Sequence, residues 1–345
     1  MRVAELYQPR EFRLIEQPLP EPGPGEVQVR VQAVGVCGSD LHYFSEGGVG
    51  DTPCEYPMVL GHEPVGVITR IGPAVSGWAV GDQVALEPAI YCYDCEYCLS
   101  GRHNVCARLR FMSMPGDPGF FRDYVTLPAR NLLPLPHGLS AVEGTLFEPL
   151  AVVLHSMRFV DLRIGEQAVV FGAGPIGLLT IAVLKLQAAG RIWAVEPVAH
   201  RRELALKLGA DVAVDPQQTD PVRQILTDTR GRGVDVALDC AAQGPSINQC
   251  LAVARNAGRV IVTGIPISNH VALDFHVMRR KELALYNVRR SNRESETALE
   301  LLAERPELFT PMLTHELPLE QIQRGFCMLE RYADGVGKLV FRLSR

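Results

Sequence analysis

The stretch that decides the fold covers residues 168–196 and reads AVVFGAGPIGLLTIAVLKLQAAGRIWAVE. Its apolar start predicts a buried strand over 168–171, and the residues after the turn predict a helix over 178–189. In the turn itself, the first glycine allows a sharp bend, the second lets backbone N–H groups approach a pyrophosphate, and the third lets helix and strand pack closely. The residues that we predict to bind a dinucleotide here are Gly172, Gly174, Pro175, Ile176 and Gly177.

A second apolar run, 192–195, ends in Glu196, close to the offset at which a carboxylate bonds the ribose hydroxyls of NAD. A carboxylate there repels a 2′-phosphate, so the sequence predicts NAD rather than NADP. Arg201 and Arg202 follow within two helical turns. These arginines could weaken the preference for NAD over NADP, and one of them could stack on the adenine. We therefore include Arg201 among the predicted cofactor-binding residues.

The composition is that of an ordinary globular protein. At 345 residues the chain is longer than one typical hydrophobic core, which predicts two domains. An apolar fraction of 47% argues against disorder, and a net charge of −5 without a long basic run argues against nucleic acid as a partner. Charges interrupt the apolar runs and the first residues lack a hydrophobic signal region, so we expect no membrane contact and a cytoplasmic location.

The sequence has two parts that differ in their predicted secondary structure. The first third reads as short strands, such as 26–33, where Val27, Val29 and Val31 are expected inside and Gln28 outside, and it predicts a β-barrel-like domain. From Ser140 onward strands and helices alternate, which predicts a doubly wound parallel sheet ending with a strand over 283–288. The predicted class is α/β, with a barrel domain over 1–150, to which 289–345 returns, and a Rossmann-type domain over 151–288.

Four of the nine cysteines fall within fifteen positions. Cys92, Cys95, Cys98 and Cys106 follow C-x2-C-x2-C-x7-C, a spacing that brings four thiolates to one tetrahedral zinc ion. In a chain without an export signal this crowding favours a metal over disulfides. Because all four ligands are protein sulfur, the site is closed to substrate, and we predict a structural zinc that holds a loop.

A looser set combines one cysteine, one histidine and two carboxylates at large separations: Cys37, His62, Glu63 and Glu148. A catalytic zinc site needs three protein ligands and an open position, and this set can supply them. The alternative is a thiol in a barrel loop, a histidine with ordinary partners and two surface acids. Residue types and separations alone leave both interpretations open.

Five motifs follow one another along the chain: Gly35-Val36-Cys37-Gly38-Ser39-Asp40-Leu41-His42, Gly61-His62-Glu63, Val80-Gly81-Asp82-Gln83-Val84, the four cysteines and the glycine turn. In this order they make the chain resemble the zinc-dependent medium-chain alcohol and polyol dehydrogenases over essentially its whole length. The resemblance implies a GroES-like barrel that holds zinc and a Rossmann domain that binds NAD. Glu148-Pro149-Leu150 resembles the sorbitol dehydrogenase branch, in which Glu replaces the third ligand cysteine of simple alcohol dehydrogenases.

The resemblance also implies a ligand set for the catalytic zinc. In the sorbitol dehydrogenase branch zinc is often bound by residues matching Cys37, His62 and Glu63 plus water, with the Glu148 equivalent near that water. Which of the two carboxylates is the inner ligand stays open, and they could exchange during turnover.

Three residues of the first motif take supporting roles by the same resemblance. Ser39 matches a hydroxyl beside the substrate oxygen. His42 matches a proton-relay position in some alcohol dehydrogenases, with packing against the pocket wall as the alternative. Asp40 is expected to orient His62 or the loop.

Substrate contacts are implied at Tyr43 and Phe111, which match positions lining the polyol pocket, although aromatic residues are more often part of a core. Arg290 matches an arginine that holds a substrate hydroxyl through water. The branch commonly shows Phe-Arg-Tyr there, whereas this chain has Arg289-Arg290-Ser291, and this more cationic edge puts sorbitol itself in doubt. His155, on an apolar helix face, is predicted to pack in the core.

The activity implied is hydride transfer from a secondary alcohol or a polyol, such as sorbitol or xylitol, to NAD, giving a ketone or ketose, with one catalytic and one structural zinc per chain. The alternatives are an amino-alcohol dehydrogenase of the L-threonine type, which shares the zinc ligands, and a nucleotide-binding sensor without turnover. Intact Cys37, His62 and Glu148 argue against the sensor. The family commonly forms dimers or tetramers through its nucleotide domain, so a homotetramer or homodimer is expected.

Overall fold

The computed structural model describes residues 1–243 and 245–343, and their contacts divide the chain into two compact units. Unit 1 comprises Met1–Ala151, Asn292–Pro306 and Leu313–Arg345, and unit 2 comprises Val152–Ser291 and Glu307–Met312. Each unit has a hydrophobic core of its own. Within the described ranges, no helix is both long and apolar enough to cross a membrane.

The first part of unit 1 consists mainly of short strands. Its helices are α1 (Gly38–Glu46), α2 (Glu96–Leu99), α3 (Ala141–Gly144) and α4 (Phe147–Val160), the last of which ends in unit 2. The strands are β1 (Arg2–Gln8), β2 (Glu11–Glu16), β3 (Glu26–Gly35), β4 (Gly48–Val49), β5 (Thr52–Pro53), β6 (Met58–Val59), β7 (Glu63–Ile71), β8 (Gln83–Leu86), β9 (Ala89–Ile90), β10 (Arg110–Phe111), β11 (Tyr124–Pro128) and β12 (Leu132–Pro134).

Unit 2 alternates strands and helices. Its sheet is entirely parallel, and with strands numbered as below its order is β15-β14-β13-β16-β17-β18. The strands are β13 (Ala168–Phe171), β14 (Ile192–Val195), β15 (Val212–Val214), β16 (Val234–Asp239), β17 (Ala254–Val262) and β18 (Ala284–Asn287). The helices are α5 (Pro175–Leu186), α6 (Ala199–Lys207), α7 (Pro221–Asp228), α8 (Ser246–Val253) and α9 (Phe275–Lys281).

The strand order of unit 2 is that of the doubly wound dinucleotide-binding fold, whose order reverses beside the first strand of the unit. Here that strand is β13, which lies between β14 and β16. The glycine turn therefore follows the strand at the switch point, where such sheets bind their ligands.

The end of the chain returns to unit 1 with α10 (Ser295–Glu304), β19 (Leu313–Pro318), α11 (Ile322–Glu330) and β20 (Lys338–Arg342). The large sheet of unit 1 has the order β12-β8-β7-β3-β20-β19, and β11 also pairs with β3. β20 runs antiparallel to β3, with Val340 opposite Gly35. The last strand thus lies beside a strand from the first tenth of the chain.

Two local expectations differ from the structure. Gln28 is buried at 2% exposure rather than facing outward, because its amide donates to the Pro20 carbonyl at 2.7 Å and its side-chain oxygen accepts from Thr69 Oγ1 at 2.7 Å. The helix predicted over 178–189 begins earlier, at Pro175, and ends at Leu186. The two valines flanking Gln28, Val27 and Val29, are fully buried, as the alternation predicts.

Candidate metal and dinucleotide sites

The candidate catalytic site in unit 1 is built on α1 and the start of β7. Cys37 is the N-cap of α1, and His62 and Glu63 lie where β7 begins. One ligand atom from each of these three residues lies within 4.8 Å of the other two. A thiolate, an imidazole and a carboxylate are zinc ligands, so this group, called here the Cys37 cluster, fits a three-ligand site with an open position.

Asp40 holds two sides of the cluster together. Its Oδ2 accepts the backbone N–H of Cys37 at 3.1 Å, and its Oδ1 lies 3.3 Å from His62 Nδ1. Burial alone would raise the pKa of Asp40, but His62 and the backbone N–H groups of Cys37 and Gly61 outweigh burial and lower it. A carboxylate at Nδ1 leaves the Nε2 atom of His62 for a metal, as in other histidine metal ligands.

Ser113 is a supporting residue that the sequence did not reveal. Its hydroxyl donates to Asp40 Oδ1 at 2.9 Å, and its side chain is buried. Its φ of 80° is in the left-handed region, which is uncommon for a residue other than glycine. Ser113 lies 73 positions from Asp40 in the chain, and no motif marks it.

Lys338 is the second residue that sequence reasoning missed. Its Nζ donates to Glu63 Oε1 at 2.7 Å and to the Val36 carbonyl at 2.9 Å, and both charged side chains are almost completely buried. A buried carboxylate requires such a counter-charge. Lys338 therefore neutralises Glu63 and fixes where its oxygens lie.

Gly35 completes this arrangement by being small. It lies opposite Glu63 in the β3–β7 ladder, and a Cβ on Gly35 would come within 2.0 Å of Glu63 Oε2. No carbon and oxygen atoms approach so closely without a bond. The position of the Glu63 carboxylate thus depends on glycine at position 35.

Glu148 interacts electrostatically with His62 and Glu63. It is not one of the residues whose ligand atoms lie within 4.8 Å of one another. Its side chain is 7% exposed. Burial raises the pKa of Glu148 to about 7, with Glu63 and Glu87 acting in the same direction and His62 in the opposite one. Its role at the zinc, and the choice of inner carboxylate ligand, stay predictions.

The other predicted active-site residues lie on α1 or beside the cluster. Ser39 is half-buried, and His42 Nδ1 lies 3.1 Å from Glu46 Oε1 one turn along the helix. Tyr43 is buried. The ring of Phe111 lies 5.4 Å from that of His62, measured between centroids.

Two predicted residues belong to unit 2. Arg290 is half-buried and has a φ of 54°, a left-handed conformation. His155 is buried in α4 and meets the ring of Phe159 edge to face at 5.5 Å, which confirms its packing role.

The four clustered cysteines form a second metal-binding geometry. One ligand atom from each lies within 4.8 Å of the others, with Sγ–Sγ distances of 3.3 Å for Cys92–Cys106 and 3.9 Å for Cys95–Cys106. Backbone N–H groups of Cys98 and Ala107 lower the pKa of Cys95 to about 6. Four convergent sulfurs fit a closed tetrahedral zinc site.

The glycine turn of unit 2 provides the dinucleotide cradle. Gly172 has a φ of 89°, and Gly174 is the N-cap of α5, which begins with Pro175. A Cβ on Gly177 would lie 1.9 Å from the Gly172 carbonyl oxygen. The third glycine is therefore required by packing, while the free N–H groups at the start of α5 suit a pyrophosphate.

Glu196, at the carboxyl end of β14, is folded back toward the turn. Its Oε2 accepts the Ala173 N–H at 2.7 Å and its Oε1 accepts the Val198 N–H at 3.0 Å. Arg201 lies nearby, since a Cβ on Gly174 would be 3.9 Å from its Nη1. The structure thus brings Glu196, Arg201 and the glycine turn together within unit 2.

Comparison with known proteins identifies the family. The alcohol dehydrogenase GroES-like domain matches residues 23–137, and the zinc-binding dehydrogenase domain matches residues 175–304. The sorbitol dehydrogenase of Bacillus subtilis (strain 168) is 33% identical over 323 residues, which cover 94% of this chain and 92% of that protein. The chain belongs to the zinc-dependent alcohol dehydrogenase family. This dehydrogenase is also similar to a probable D-xylulose reductase A of Emericella nidulans, at 36% identity over 319 residues, 90% of this chain and 88% of that one.

Solved structures agree with the fold. A zinc-binding dehydrogenase of Sinorhizobium meliloti bound to NADP superimposes with a TM-score of 0.91 at 28% identity, covering 99% of both chains. A short chain alcohol dehydrogenase of Escherichia coli CFT073 complexed with NADH gives a TM-score of 0.89 at 26% identity, again covering 99% of both. The predicted fold class, the family and its sorbitol dehydrogenase-like branch are thereby confirmed.

Proposed function

We propose that this dehydrogenase oxidises a secondary alcohol or polyol to the ketone or ketose with NAD as hydride acceptor. The observation that carries the proposal is the Cys37 cluster, which brings three ligand atoms within 4.8 Å of one another, the number of protein ligands that a catalytic zinc site uses. Sorbitol dehydrogenase and D-xylulose reductase among its relatives support the polyol class.

A zinc ion at the Cys37 cluster would act as a Lewis acid and lower the pKa of the substrate hydroxyl. The chain's own residues prepare that site. Cys37, His62 and Glu63 would hold the ion, Asp40 fixes the imidazole of His62, and Lys338 balances the buried charge of Glu63. Glu148 is proposed as the nearby carboxylate that can replace Glu63 or hold a water.

The hydroxyl proton leaves by way of α1 in this proposal. Ser39 receives it beside the substrate oxygen, and His42, which pairs with Glu46, passes it outward. Tyr43 and Phe111 are proposed to line the pocket. Arg290 is proposed to bind a substrate hydroxyl, and the Arg289-Arg290-Ser291 sequence favours a polyol other than sorbitol.

The nucleotide site of unit 2 supports NAD. Gly172, Gly174 and the start of α5 would receive the pyrophosphate, and the carboxylate of Glu196, which accepts the Ala173 N–H, would bond the ribose hydroxyls. Its carboxylate disfavours the 2′-phosphate of NADP.

A substrate panel tests the activity. The purified chain is incubated with NAD and, separately, xylitol, sorbitol, 2,3-butanediol and L-threonine, and NADH formation is followed by absorbance. Turnover of a polyol or diol supports the proposal, and turnover of threonine alone would replace it with the amino-alcohol alternative. A Cys37→Ser variant should lose turnover while retaining NADH binding, whereas a chain that binds NADH without oxidising any alcohol would be a sensor.

We also propose a homodimer or homotetramer formed through unit 2. Strand β18 is an edge of the six-stranded sheet, and the segment leading to it exposes apolar side chains, including Ile267 at 55% and Phe275 at 58%. An open edge beside an apolar surface suits association with a second copy. Mass photometry of the purified protein tests this, and a monomer would contradict it.

A cytoplasmic location remains our proposal. It is supported by the cysteines, all nine of which are free thiols, because metal-binding thiols persist in a reducing compartment. Fractionation of expressing cells with antibody detection tests the location.

A further inference from the structure

We propose that Asp215 is a second determinant of NAD preference, because it keeps the guanidinium of Arg202 engaged and unavailable to a 2′-phosphate. This inference rests on the proposed use of NAD. It assigns the specificity of the nucleotide site to two carboxylates, Glu196 and Asp215, rather than to Glu196 alone.

The contacts of Arg202 are the first step. Its Nη1 donates to the backbone carbonyls of Glu196 at 2.8 Å and Pro197 at 2.7 Å. Its Nη2 lies 3.0 Å from Asp215 Oδ2, and both side chains are mostly buried, at 18% and 15% exposure. Arg202 therefore contacts the backbone of Glu196, the residue proposed to bind the ribose. Both of its terminal nitrogens already have partners.

The position of this guanidinium matters because an arginine near the end of this strand is what accommodates the 2′-phosphate in NADP-binding relatives of this fold. The neighbouring Arg201 lies elsewhere in the nucleotide site, because its Nη1 is beside the glycine turn. In this inference Arg202, which contacts the backbone of Glu196 itself, is the cation that a 2′-phosphate would recruit. Its partner Asp215 opposes that step by pairing with the cation and by adding negative charge beside Glu196.

Asp215 itself is held in place by its own loop. It follows β15, and its Oδ1 accepts the Gln217 N–H at 3.0 Å while Gln218 Nε2 donates to its Oδ2 at 3.2 Å. An Asp215→Asn substitution keeps an oxygen for the Gln217 N–H and removes the charge. The variant therefore frees Arg202 Nη2 from its ion pair without removing the cap of this turn, while Nη1 keeps its bonds to the Glu196 and Pro197 carbonyls.

The experiment measures dissociation constants of NADH and NADPH by nucleotide fluorescence on the purified full chain. Asp215→Asn should lower the dissociation constant of NADPH about tenfold, the effect of one charge-assisted contact, and change that of NADH less than about twofold. Adding Arg202→Gln to Asp215→Asn should remove the gain. Lys185→Gln, which breaks an ion pair with Asp211 elsewhere in unit 2, should leave both constants unchanged.

The outcomes separate this inference from the proposed function. Two results together would overturn this inference alone. The wild type prefers NADH, and Asp215→Asn either leaves the NADPH affinity unchanged or changes the NADH and NADPH affinities equally. A gain that persists in Arg202→Gln/Asp215→Asn also overturns it. A wild-type chain that binds NADPH as tightly as NADH overturns the NAD proposal and this inference together.

Discussion

At the scale of single residues, Gly35 and Glu63 face each other with no space for another atom between them. We expect Gly35→Ala to displace the Glu63 carboxylate, since the new Cβ would lie 2.0 Å from Oε2. Disturbing the surroundings of a metal ligand typically lowers metal affinity about 10- to 100-fold. Zinc affinity of the Cys37 cluster, measured by competition with a chromogenic chelator, should fall by that amount.

A matched control lies three residues away. A Cβ on Gly38 would meet no atom within 4 Å, so Gly38→Ala should bind zinc like the wild type. Equal zinc affinities for Gly35→Ala and Gly38→Ala would mean that the Glu63 carboxylate is not a ligand or that the ladder yields freely.

Glu148 predicts a pH dependence of stability in the metal-free chain. Its pKa is raised from 4.5 to about 7 in the folded state. The folded chain therefore holds a proton that the unfolded chain loses, so stability is full below about pH 4.5 and is lost as the pH rises through 7. The loss is on the order of 3 kcal/mol.

Glu148→Gln should remove this dependence. Denaturant unfolding of the zinc-free variant and wild type, between about pH 5 and about pH 8, should show a stability difference that grows in favour of the variant and then levels off. The exposed Glu300→Gln should follow the wild type. Parallel curves for Glu148→Gln and wild type would show that Glu148 does not take up a proton on folding.

At the scale of elements, the glycine turn contains two glycines that are needed for different reasons. A Cβ on Gly177 would clash with the Gly172 carbonyl at 1.9 Å, whereas one on Gly174 would meet only Arg201 Nη1 at 3.9 Å. Gly177→Ala should therefore lower the melting temperature. Gly174→Ala should keep it within about 2 °C and weaken NADH binding at least tenfold, because the methyl group occupies the space of the pyrophosphate.

Calorimetry and NADH titration on both variants check this contrast. If Gly174→Ala bound NADH normally while remaining folded, the pyrophosphate would not lie against that glycine. A Gly177→Ala chain of unchanged stability would mean that β13 and α5 can move apart.

The elements also show what a sequence can and cannot predict. The glycine turn and the cysteine spacing are local, because each places its chemistry within a few turns of chain, and the structure has both where the sequence predicts them. Lys338 and Ser113 were missed because their partners are 275 and 73 positions away. A lysine in an apolar strand gives no indication of which carboxylate it will meet. Gln28 was misplaced because period-two alternation does not reveal that Thr69 and Pro20 can satisfy a buried amide.

At the scale of the whole molecule, the two metal geometries predict two steps of zinc loss. The Cys37 cluster offers three ligand atoms and the four-cysteine group offers four, so zinc would keep an open position at the first and none at the second. Titration with a chelator should remove about one zinc per chain together with activity first, at little cost in stability. The second zinc should leave only with a fall in melting temperature of more than about 5 °C.

Cys95→Ser assigns the second step. This variant should purify with about one zinc and a lowered melting temperature, yet retain NADH binding in unit 2. Cys327→Ser, which alters a half-buried thiol outside both clusters, should match the wild type. A fully stable Cys95→Ser chain would remove the structural role of the four cysteines.

Lys338 has a consequence for how the enzyme matures. Cys37, His62 and Glu63 leave the ribosome early, but the cation that balances Glu63 is made 275 residues after it, once all of unit 2 has been translated. Until then the acid has no buried counter-ion, so a nascent or prematurely terminated polypeptide cannot assemble a finished centre. We therefore expect this site to reach its final geometry only after Lys338 has been synthesised, and chains that end before Lys338 to be inactive.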